Sequence, residues 1–328
     1  MTTPQLTLAD VQAAQQRIKH QIKHTPLLTN QFLDTATSAR VWLKPENLQH
    51  TGSFKFRGAS NAILSSPDGT KQQPVVAWSS GNHAQGVAAA AALANRQAHI
   101  VMPADAPLIK QNNTRNYGAQ VVLYDRYTES REDIGLSLAK ELGAQVIAPY
   151  DDYAVMAGQG TSALEFVEDC PEPLDYLLVC CGGGGLSAGV STVFKALSPN
   201  TQVLAVEPEG FDDHARSLEA GERQANASGG TSICDALLAP TPGHKTFEIN
   251  RHTLAGALVV SENHVREAVY LAATQLKLVV EPGGAAALAA LLAHKQTFAN
   301  KKVGVYLTGG NIDPDVLRNI LSHQVLSR

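Results

Sequence analysis

The chain has 328 residues, of which 44% are hydrophobic, and a formal net charge of −4 from 26 basic and 30 acidic side chains. This length and composition suffice for one large or two ordinary globular domains. The slight acidity gives no reason to expect nucleic acid or a membrane surface as a partner, and no apolar run reaches the roughly 18 residues of a membrane helix.

The N-terminus and the cysteines bear on the cellular compartment. Met1–Gln5 lacks the basic and apolar regions of an export signal. The four cysteines show no CxxC spacing, so reduced thiols in a cytoplasmic protein are predicted.

The first part of the chain contains three recognisable signals. A capping box of Thr7 and Asp10 predicts an amphipathic first helix. Residues 40–44 form a predicted strand, and Ser53 is a candidate N-cap for the helix that follows. The Ser-Ser-Pro-Asp-Gly cluster at 65–69 predicts a loop, where we expect the chain to cross into a second domain.

Strand and helix patterns then alternate along the chain. Further predicted strands cover residues 75–78, 99–102, 120–124, 145–148, 175–180, 202–206 and 303–307. Alternation of this kind predicts parallel α/β architecture.

One lysine has an unusual setting. Lys55 lies between Phe54 and Phe56. Apolar neighbours disfavour the ammonium form and lower the pKa of a lysine, and the neutral amine is the form that attacks an aldehyde. For this segment taken alone, an ordinary surface lysine on an amphipathic helix is the simpler explanation, so a reactive role depends on the rest of the chain.

A run of four glycines, Gly182–Gly185, follows a predicted strand and opens a helix. Backbone amides at such a turn make a phosphate site, although a purely structural tight turn is an alternative. The stretch Gly183–Ala188 also fits the dinucleotide fingerprint, with Glu207 at the end of the next strand. Against that interpretation, several βα units precede the loop, and Lys55 would have no role.

Together these segments resemble fold-type II pyridoxal-phosphate (PLP) enzymes, specifically the serine/threonine dehydratase and serine racemase group. The resemblance covers nearly the whole chain and rests on Lys44–Gly58, Ser79–Gly86, Ala157–Thr161, Gly182–Gly185, Glu281–Gly284 and Thr308–Asn311. It implies a two-domain α/β fold of the tryptophan synthase β type, with parallel sheets flanked by helices. Residues 1–65 and 153–328 would form the large PLP-binding domain, and residues 66–152 a small inserted domain.

The resemblance also implies cofactor-binding residues. Lys55 would form the Schiff base with PLP and act as catalytic base. Asn82 would hydrogen-bond the phenolic oxygen of the cofactor, and the amides of Gly182–Gly185 would hold its phosphate. Phe54 and Glu281 belong to the same cofactor-binding set.

Two positions bear on the type of reaction. Thr308 stands at the ring nitrogen of PLP, where the family usually has serine or cysteine. A hydroxyl group cannot keep that nitrogen protonated, which suits β-elimination better than a reaction with a long-lived carbanion. Ser80 matches the second acid/base of serine racemases, opposite Lys55, but dehydratases of the group also carry serine there.

Substrate recognition is implied by the same resemblance. The turn with Ser79, Ser80 and His83 would bind the substrate carboxylate, with a capping or solvated histidine as the alternative for His83. Arg131 matches an arginine that could meet a second carboxylate, as in 3-hydroxyaspartate, although a solvated helix-surface arginine explains it equally well. Cys234–Ala236 departs from the Ala-Asp-Gly of the subgroup, which leaves substrate preference open.

The predicted function is therefore PLP-dependent dehydration of L-threonine, L-serine or 3-hydroxyaspartate to a 2-oxo acid and ammonia. A cytoplasmic homodimer acting on a small amino acid is expected. Racemisation by Lys55 and Ser80 is the alternative, and an NAD-dependent oxidoreductase is a distant one.

A divalent cation site is predicted at Glu207 and Asp213. Glu207 ends a predicted strand and Asp213 lies on the loop that follows. Two carboxylates and a backbone carbonyl suit Mg²⁺ or Ca²⁺, with Mn²⁺ as a further candidate. The metal-dependent serine racemases and hydroxyaspartate dehydratases that this chain resembles carry a similar Glu-x5-Asp pattern. The resemblance implies that the backbone carbonyl of Phe211 is a further ligand. The alternative is a solvated acidic loop in which Asp212 or Asp213 caps the next helix.

Overall fold

The computed structural model describes residues 6–67, 70, 72–106 and 108–326. Met1–Gln5, where an export signal is predicted to be absent, and Asp68–Gly69 of the predicted crossing loop lie outside these residues. Within the described part of the chain, no helix combines the length and the apolar character needed to cross a membrane.

Parallel strands alternate with helices along the chain. The strands are β1 (Arg40–Pro45), β2 (Val75–Trp78), β3 (Ala98–Pro103), β4 (Gln120–Tyr124), β5 (Gln145–Val146), β6 (Tyr176–Cys180), β7 (Gln202–Pro208), β8 (Gly256–Val260) and β9 (Lys302–Leu307). The α-helices are α1 (Leu8–Ile18), α2 (Gln31–Thr37), α3 (Lys55–Leu64), α4 (Asn82–Leu93), α5 (Leu108–Asn116), α6 (Arg131–Leu142), α7 (Tyr153–Asp169), α8 (Gly185–Leu197), α9 (Asp213–Ala220), α10 (His244–Thr253), α11 (Glu262–Leu271), α12 (Pro282–Ala293), α13 (Lys295–Phe298) and α14 (Pro314–Leu326).

These strands form two parallel sheets. One has the order β1-β9-β6-β7-β8 and the other the order β4-β3-β2-β5. The predicted class, a parallel α/β fold with helices around the sheets, is confirmed. The four-stranded sheet comes from one continuous stretch and the five-stranded sheet from strands on either side of it. This arrangement supports the proposal that residues 66–152 form an inserted domain.

Most local predictions are confirmed. The capping box of Thr7 and Asp10 is present at the start of α1. Of the nine strands in the described residues, only β8 was not predicted. It is an edge strand that pairs with β7 alone, and only Val260 in it is fully buried, so it lacks the pattern of a buried strand.

The prediction that Ser53 caps α3 is wrong. Ser53 has an extended backbone and forms an isolated antiparallel bridge with Gly309, and its buried Oγ makes no hydrogen bond to any described residue. The backbone N–H of Phe54 donates to the carbonyl of Thr308 at 3.1 Å. The helix that carries Lys55 is thus attached to the loop after β9 and has no side-chain cap.

A buried ion-pair network holds the same helix from the other side. The Arg57 guanidinium is fully buried and donates to both oxygens of Glu46 at 2.7 and 2.8 Å and to both oxygens of Glu165 at 2.6 and 2.8 Å. Lys44 Nζ also donates to Glu165, at 2.7 Å. Two cations thus face two carboxylates, which offsets the cost of removing four charges from water.

Candidate active site

A cavity of about 480 Å³ is lined in part by residues that directly follow β2, β6 and β9. The ends of parallel strands are where open α/β sheets bind ligands. Its lining includes the predicted site residues Phe54, Lys55, Ser79, Ser80, Asn82, His83, Arg131, Gly182–Gly185, Glu281 and Thr308. The three residues predicted for the cation, Glu207, Phe211 and Asp213, are not part of this lining.

The amino group of Lys55 is half-buried in the wall of the cavity. Its Nζ donates to the carbonyl of Pro149 at 2.7 Å and lies 5.2 Å from the ring centre of Phe54. Desolvation lowers the pKa of Lys55 to about 8. Because the neutral amine is then accessible near neutral pH, Lys55 can serve as a nucleophile toward a carbonyl and as a base.

The glycine loop is packed too closely for side chains. A Cβ on Gly183 would lie 2.4 Å from the ring of Tyr150, and a Cβ on Gly184 would lie 2.5 Å from Nε2 of His214. Gly184 also has a φ of +92°, which side chains rarely tolerate. The loop leads into α8, whose N-terminal amides favour an anion such as a phosphate.

Asn82 is held by two side chains. Its Nδ2 donates to Oε1 of Glu281, and its Oδ1 accepts from Nδ2 of Asn311 at 2.7 Å. Burial, followed by the charge of Asp235, raises the pKa of the Glu281 carboxyl to about 7. These contacts fix the orientation of the Asn82 amide, whose second N–H remains available to donate. Asn311 was not predicted as a site residue.

Thr308 presents a neutral group to the cavity. Its side chain is buried, its backbone N–H donates to the carbonyl of Gly284 at 3.2 Å, and its hydroxyl interacts with the Cys180 thiol. A ligand atom next to Thr308 would therefore meet a hydroxyl.

The turn before α4 is ordered by its own side chains. Ser79 Oγ accepts from the N–H of Gly81 at 3.2 Å. His83 is buried, and its Nε2 donates to the carbonyl of Ile147 at 2.9 Å. Burial, followed by the charge of Lys55, lowers the pKa of His83 to about 3, so the ring is neutral. A solvated histidine is therefore excluded at this position.

The rim of the cavity carries three cations. Lys110 forms an ion pair with Asp235 at 2.5 Å, and Arg126 forms one with Asp105 at 2.8 Å. Arg131 is exposed at the first position of α6 and makes no ion pair with any residue in the described ranges. Neither Lys110 nor Arg126 was predicted, since a single basic residue on a helix or loop carries no local signal.

The predicted cation residues lie in the protein interior. Glu207 and Asp213 are both fully buried, so the alternative of a solvated acidic loop is wrong for them. The Glu207 carboxylate accepts from the backbone N–H groups of His214 at 2.9 Å and Ala215 at 2.8 Å. The Glu207 carboxylate thus caps the start of α9. The alternative prediction had assigned this cap to Asp212 or Asp213.

The groups around the cavity fit PLP. Lys55 supplies an amine for the aldehyde, and the glycine loop supplies backbone N–H groups at the start of α8 for the phosphate. Asn82 can donate to the phenolic oxygen, and the Thr308 hydroxyl can meet the ring nitrogen.

Comparisons with known proteins agree with this chemistry. The family model "Pyridoxal-phosphate dependent enzyme" matches residues 18–309. The L-threo-3-hydroxyaspartate ammonia-lyase of Pseudomonas sp is 44% identical over 95% of this chain and 97% of its own. The serine racemase of Schizosaccharomyces pombe is 38% identical over 96% of this chain and 97% of its own. The solved threonine deaminase of T.th. has a TM-score of 0.89 and is 43% identical, covering 94% of this chain and 99% of its own.

Proposed function

Because the chain belongs to the family of pyridoxal-phosphate-dependent enzymes, we propose that it is an ammonia-lyase that dehydrates L-threonine, L-serine or 3-hydroxyaspartate to a 2-oxo acid. The observation that carries this proposal is the amine of Lys55, desolvated and facing the same cavity as the glycine loop. The relatives named as an ammonia-lyase and a deaminase support the class of reaction.

The chain's own residues have distinct tasks in this reaction. Bound PLP supplies the electron sink for charge that develops at the substrate α-carbon. Lys55 in its neutral form takes the α-proton at Nζ. The Ser79–His83 turn at the start of α4 binds the substrate carboxylate through its N–H groups and hydroxyls. The uncharged Thr308 favours prompt loss of the β-hydroxyl.

An acidic β-hydroxy amino acid suits the rim best. Lys110 and Arg126 already pair with acidic side chains, whereas Arg131 is unpaired among the described residues. A second substrate carboxylate would give Arg131 a charge-assisted hydrogen bond. This favours 3-hydroxyaspartate over threonine and serine.

The test measures release of 2-oxo acid from L-serine, L-threonine, D-serine and both 3-hydroxyaspartate diastereomers. Arg131→Met should raise the KM for 3-hydroxyaspartate by about 10-fold or more, the value of one hydrogen bond to a charged group. L-threonine turnover should change little. The matched control is Arg126→Met, which removes a rim arginine that is already paired. Equal losses of activity toward 3-hydroxyaspartate and L-threonine would show that Arg131 does not recognise the second carboxylate. If no substrate yields a 2-oxo acid, the proposed function is refuted.

Racemisation remains the second candidate because Ser80 lines the cavity together with Lys55. The relative named serine racemase supports it. A racemase needs acid/base groups on both faces of the substrate α-carbon, whereas dehydration needs only the lysine.

Ser80→Ala should therefore erase interconversion of L- and D-serine and the use of D-serine, while L-threonine dehydration persists. Chiral chromatography and 2-oxo acid release measure the two activities in parallel. The comparison variant is Ser79→Ala, which removes the hydroxyl that orders the turn and should reduce both activities. Proportional losses in the Ser80 variant would show that its hydroxyl is only structural.

The proposed enzyme also carries a divalent cation at Glu207 and Asp213, with the Phe211 carbonyl as a further ligand and Mg²⁺, Ca²⁺ or Mn²⁺ as the predicted ions. In support, both carboxylates are fully buried, and Oδ2 of Asp213 has no hydrogen-bond partner among the described residues. A homodimer and a cytoplasmic location remain predictions.

A further inference from the structure

The stretch Cys234–Ala236, where the sequence departs from the pattern of the subgroup, forms part of the cavity wall. Cys234 is fully buried in the core, and a short 3-10 turn follows it. A Cβ on Gly283 would lie only 3.1 Å from the Cβ of Ala236, so this turn packs directly on the start of α12. The turn is thereby fixed in place and holds the side chain of Asp235 at the rim of the cavity.

Asp235 meets a cation that comes from another part of the chain. Nζ of Lys110 on α5 donates to Oδ2 of Asp235 at 2.5 Å, and both residues line the cavity. The helix α5 packs on α4 and β4, which all lie within residues 66–152. The contact therefore joins this part of the chain to the part that contains the five-stranded sheet. We call Lys110 and Asp235 the bridging ion pair.

The bridging ion pair has no counterpart elsewhere in the described structure. Among the described side chains, no other ion pair joins residues 66–152 to the rest of the chain. The hydrogen bond from Asn82 to Glu281 also joins the two parts, but it is buried inside the cavity. The side chains of Lys110 and Asp235 are 18% and 53% exposed, so solvent reaches the bridging ion pair.

We propose that the bridging ion pair holds residues 66–152 closed over the cavity and opens to admit the substrate and release the product. Both parts of the chain line the cavity, so an amino acid that enters between them passes the rim. Closure of this kind keeps water away from the reacting groups. A partly exposed ion pair shifts an equilibrium by only about 1.5- to 5-fold, which suits a contact that breaks in every turnover.

The first test measures how easily a reagent reaches bound PLP. Hydroxylamine is uncharged at neutral pH and releases PLP from Lys55 as an oxime, so the rate of release reports opening of the cavity. Lys110→Met and Asp235→Asn should each raise this rate by about 1.5- to 5-fold. The double variant should show no further rise, because either single change already breaks the pair. The absorbance of PLP follows the release.

The second test uses amide hydrogen exchange of the cofactor-free protein, so it does not depend on PLP. Both single variants should exchange faster in α5 and in the turn at residues 235–237, while α7 in the core of the five-stranded part keeps its wild-type rates. Faster exchange throughout the chain in both variants would indicate general destabilisation and would contradict a local closing contact.

Arg126→Met is the matched control. Arg126 forms the other ion pair at the rim, with Asp105 at 2.8 Å, and both side chains are half-exposed. This pair lies entirely within residues 66–152 and joins no separate parts of the chain. Its loss should leave the release of PLP and the exchange of α5 at their wild-type rates.

Three further outcomes would overturn the inference. Wild-type rates of PLP release and exchange in the Lys110 and Asp235 variants would show that the pair holds nothing closed. An equal rise in Arg126→Met would assign the effect to the loss of any ion pair at the rim. Opposite shifts in the KM for 3-hydroxyaspartate, with unchanged PLP release, would show that the pair acts on the charge of the substrate. Neither test requires turnover, so a failure of the proposed dehydration would leave this inference standing.

Discussion

Replacing Lys55 with alanine should reduce 2-oxo acid release by at least about a hundredfold, because removal of a catalytic base costs 10²–10⁴-fold. Lys55 Nζ is desolvated, and its one described hydrogen bond goes to the Pro149 carbonyl. The variant also loses the amine that links to PLP, so the absorption band near ~410–420 nm should disappear and borohydride should no longer fix the cofactor to the chain.

The matched control for this prediction is Lys110→Ala. Lys110 lines the same cavity, but its amino group is committed to Asp235. This variant should keep the absorption band and its fixation by borohydride. Residual activity of Lys55→Ala above about a hundredth of wild type would contradict the assignment of the base.

The pKa of Lys55 adds a check on the cofactor-free protein. The folded-state pKa of about 8 lies below the ordinary value of 10.5, so between these pH values the unfolded chain binds more protons than the folded chain. The contribution of Lys55 to the free energy of unfolding should therefore rise as pH increases from about 8 to 10.5. Urea titrations of the cofactor-free Lys55→Ala protein should lack this rise while showing a folded protein.

The active-site residues that could be predicted are those carried by short continuous motifs. Gly182–Gly185 form a strand-to-helix turn whose backbone chemistry can be read from the stretch itself. For Lys55 the apolar neighbours alone left an ordinary surface lysine as the simpler explanation, and its role was predicted only from several motifs taken together. The cavity does bring these residues together.

Residues that depend on contacts between distant segments could not be predicted. Asn311 reaches Asn82 across 229 positions, and Tyr150 packs on Gly183 from a different loop. His214 meets Cys181 only because α9 begins beside the loop after β6. None of these pairs has a sequence spacing that indicates a contact.

Two local errors have the same origin. Ser53 has the residue type of a helix cap, yet pairing with Gly309 fixes its backbone in an extended form and leaves its hydroxyl buried. For α9 the cap is the carboxylate of Glu207, whose Oε1 is 2.9 Å from the N–H of His214. In both cases a tertiary contact outweighs the local preference.

Replacing Arg57 with methionine should destabilise the protein by about 3–5 kcal/mol, the cost of leaving buried carboxylates without their cation. Arg57 is fully buried and contacts both Glu46 and Glu165. Burial alone would raise the pKa of Glu165, but the charges of Arg57 and then Lys44 hold it below its ordinary value. The loss is a large share of the roughly 5–15 kcal/mol that stabilises a typical domain.

The pH dependence of this loss gives a second readout. Without Arg57, burial should raise the folded-state pKa of Glu165 above the unfolded value of about 4.3. Above that pH the unfolded chain of the variant then binds fewer protons than its folded chain. The free energy of unfolding that the variant loses relative to wild type should therefore grow from pH 5 to pH 8. Urea unfolding of PLP-saturated samples at both pH values measures this loss of stability.

Arg318→Met is the control for the Arg57 variant. The side chains of Arg318 and its partner Asp315 are 76% and 77% exposed, so loss of this pair should leave the urea midpoint unchanged at either pH. An Arg57→Met protein that unfolds at the wild-type midpoint would show that the network around the lysine helix contributes no net stability.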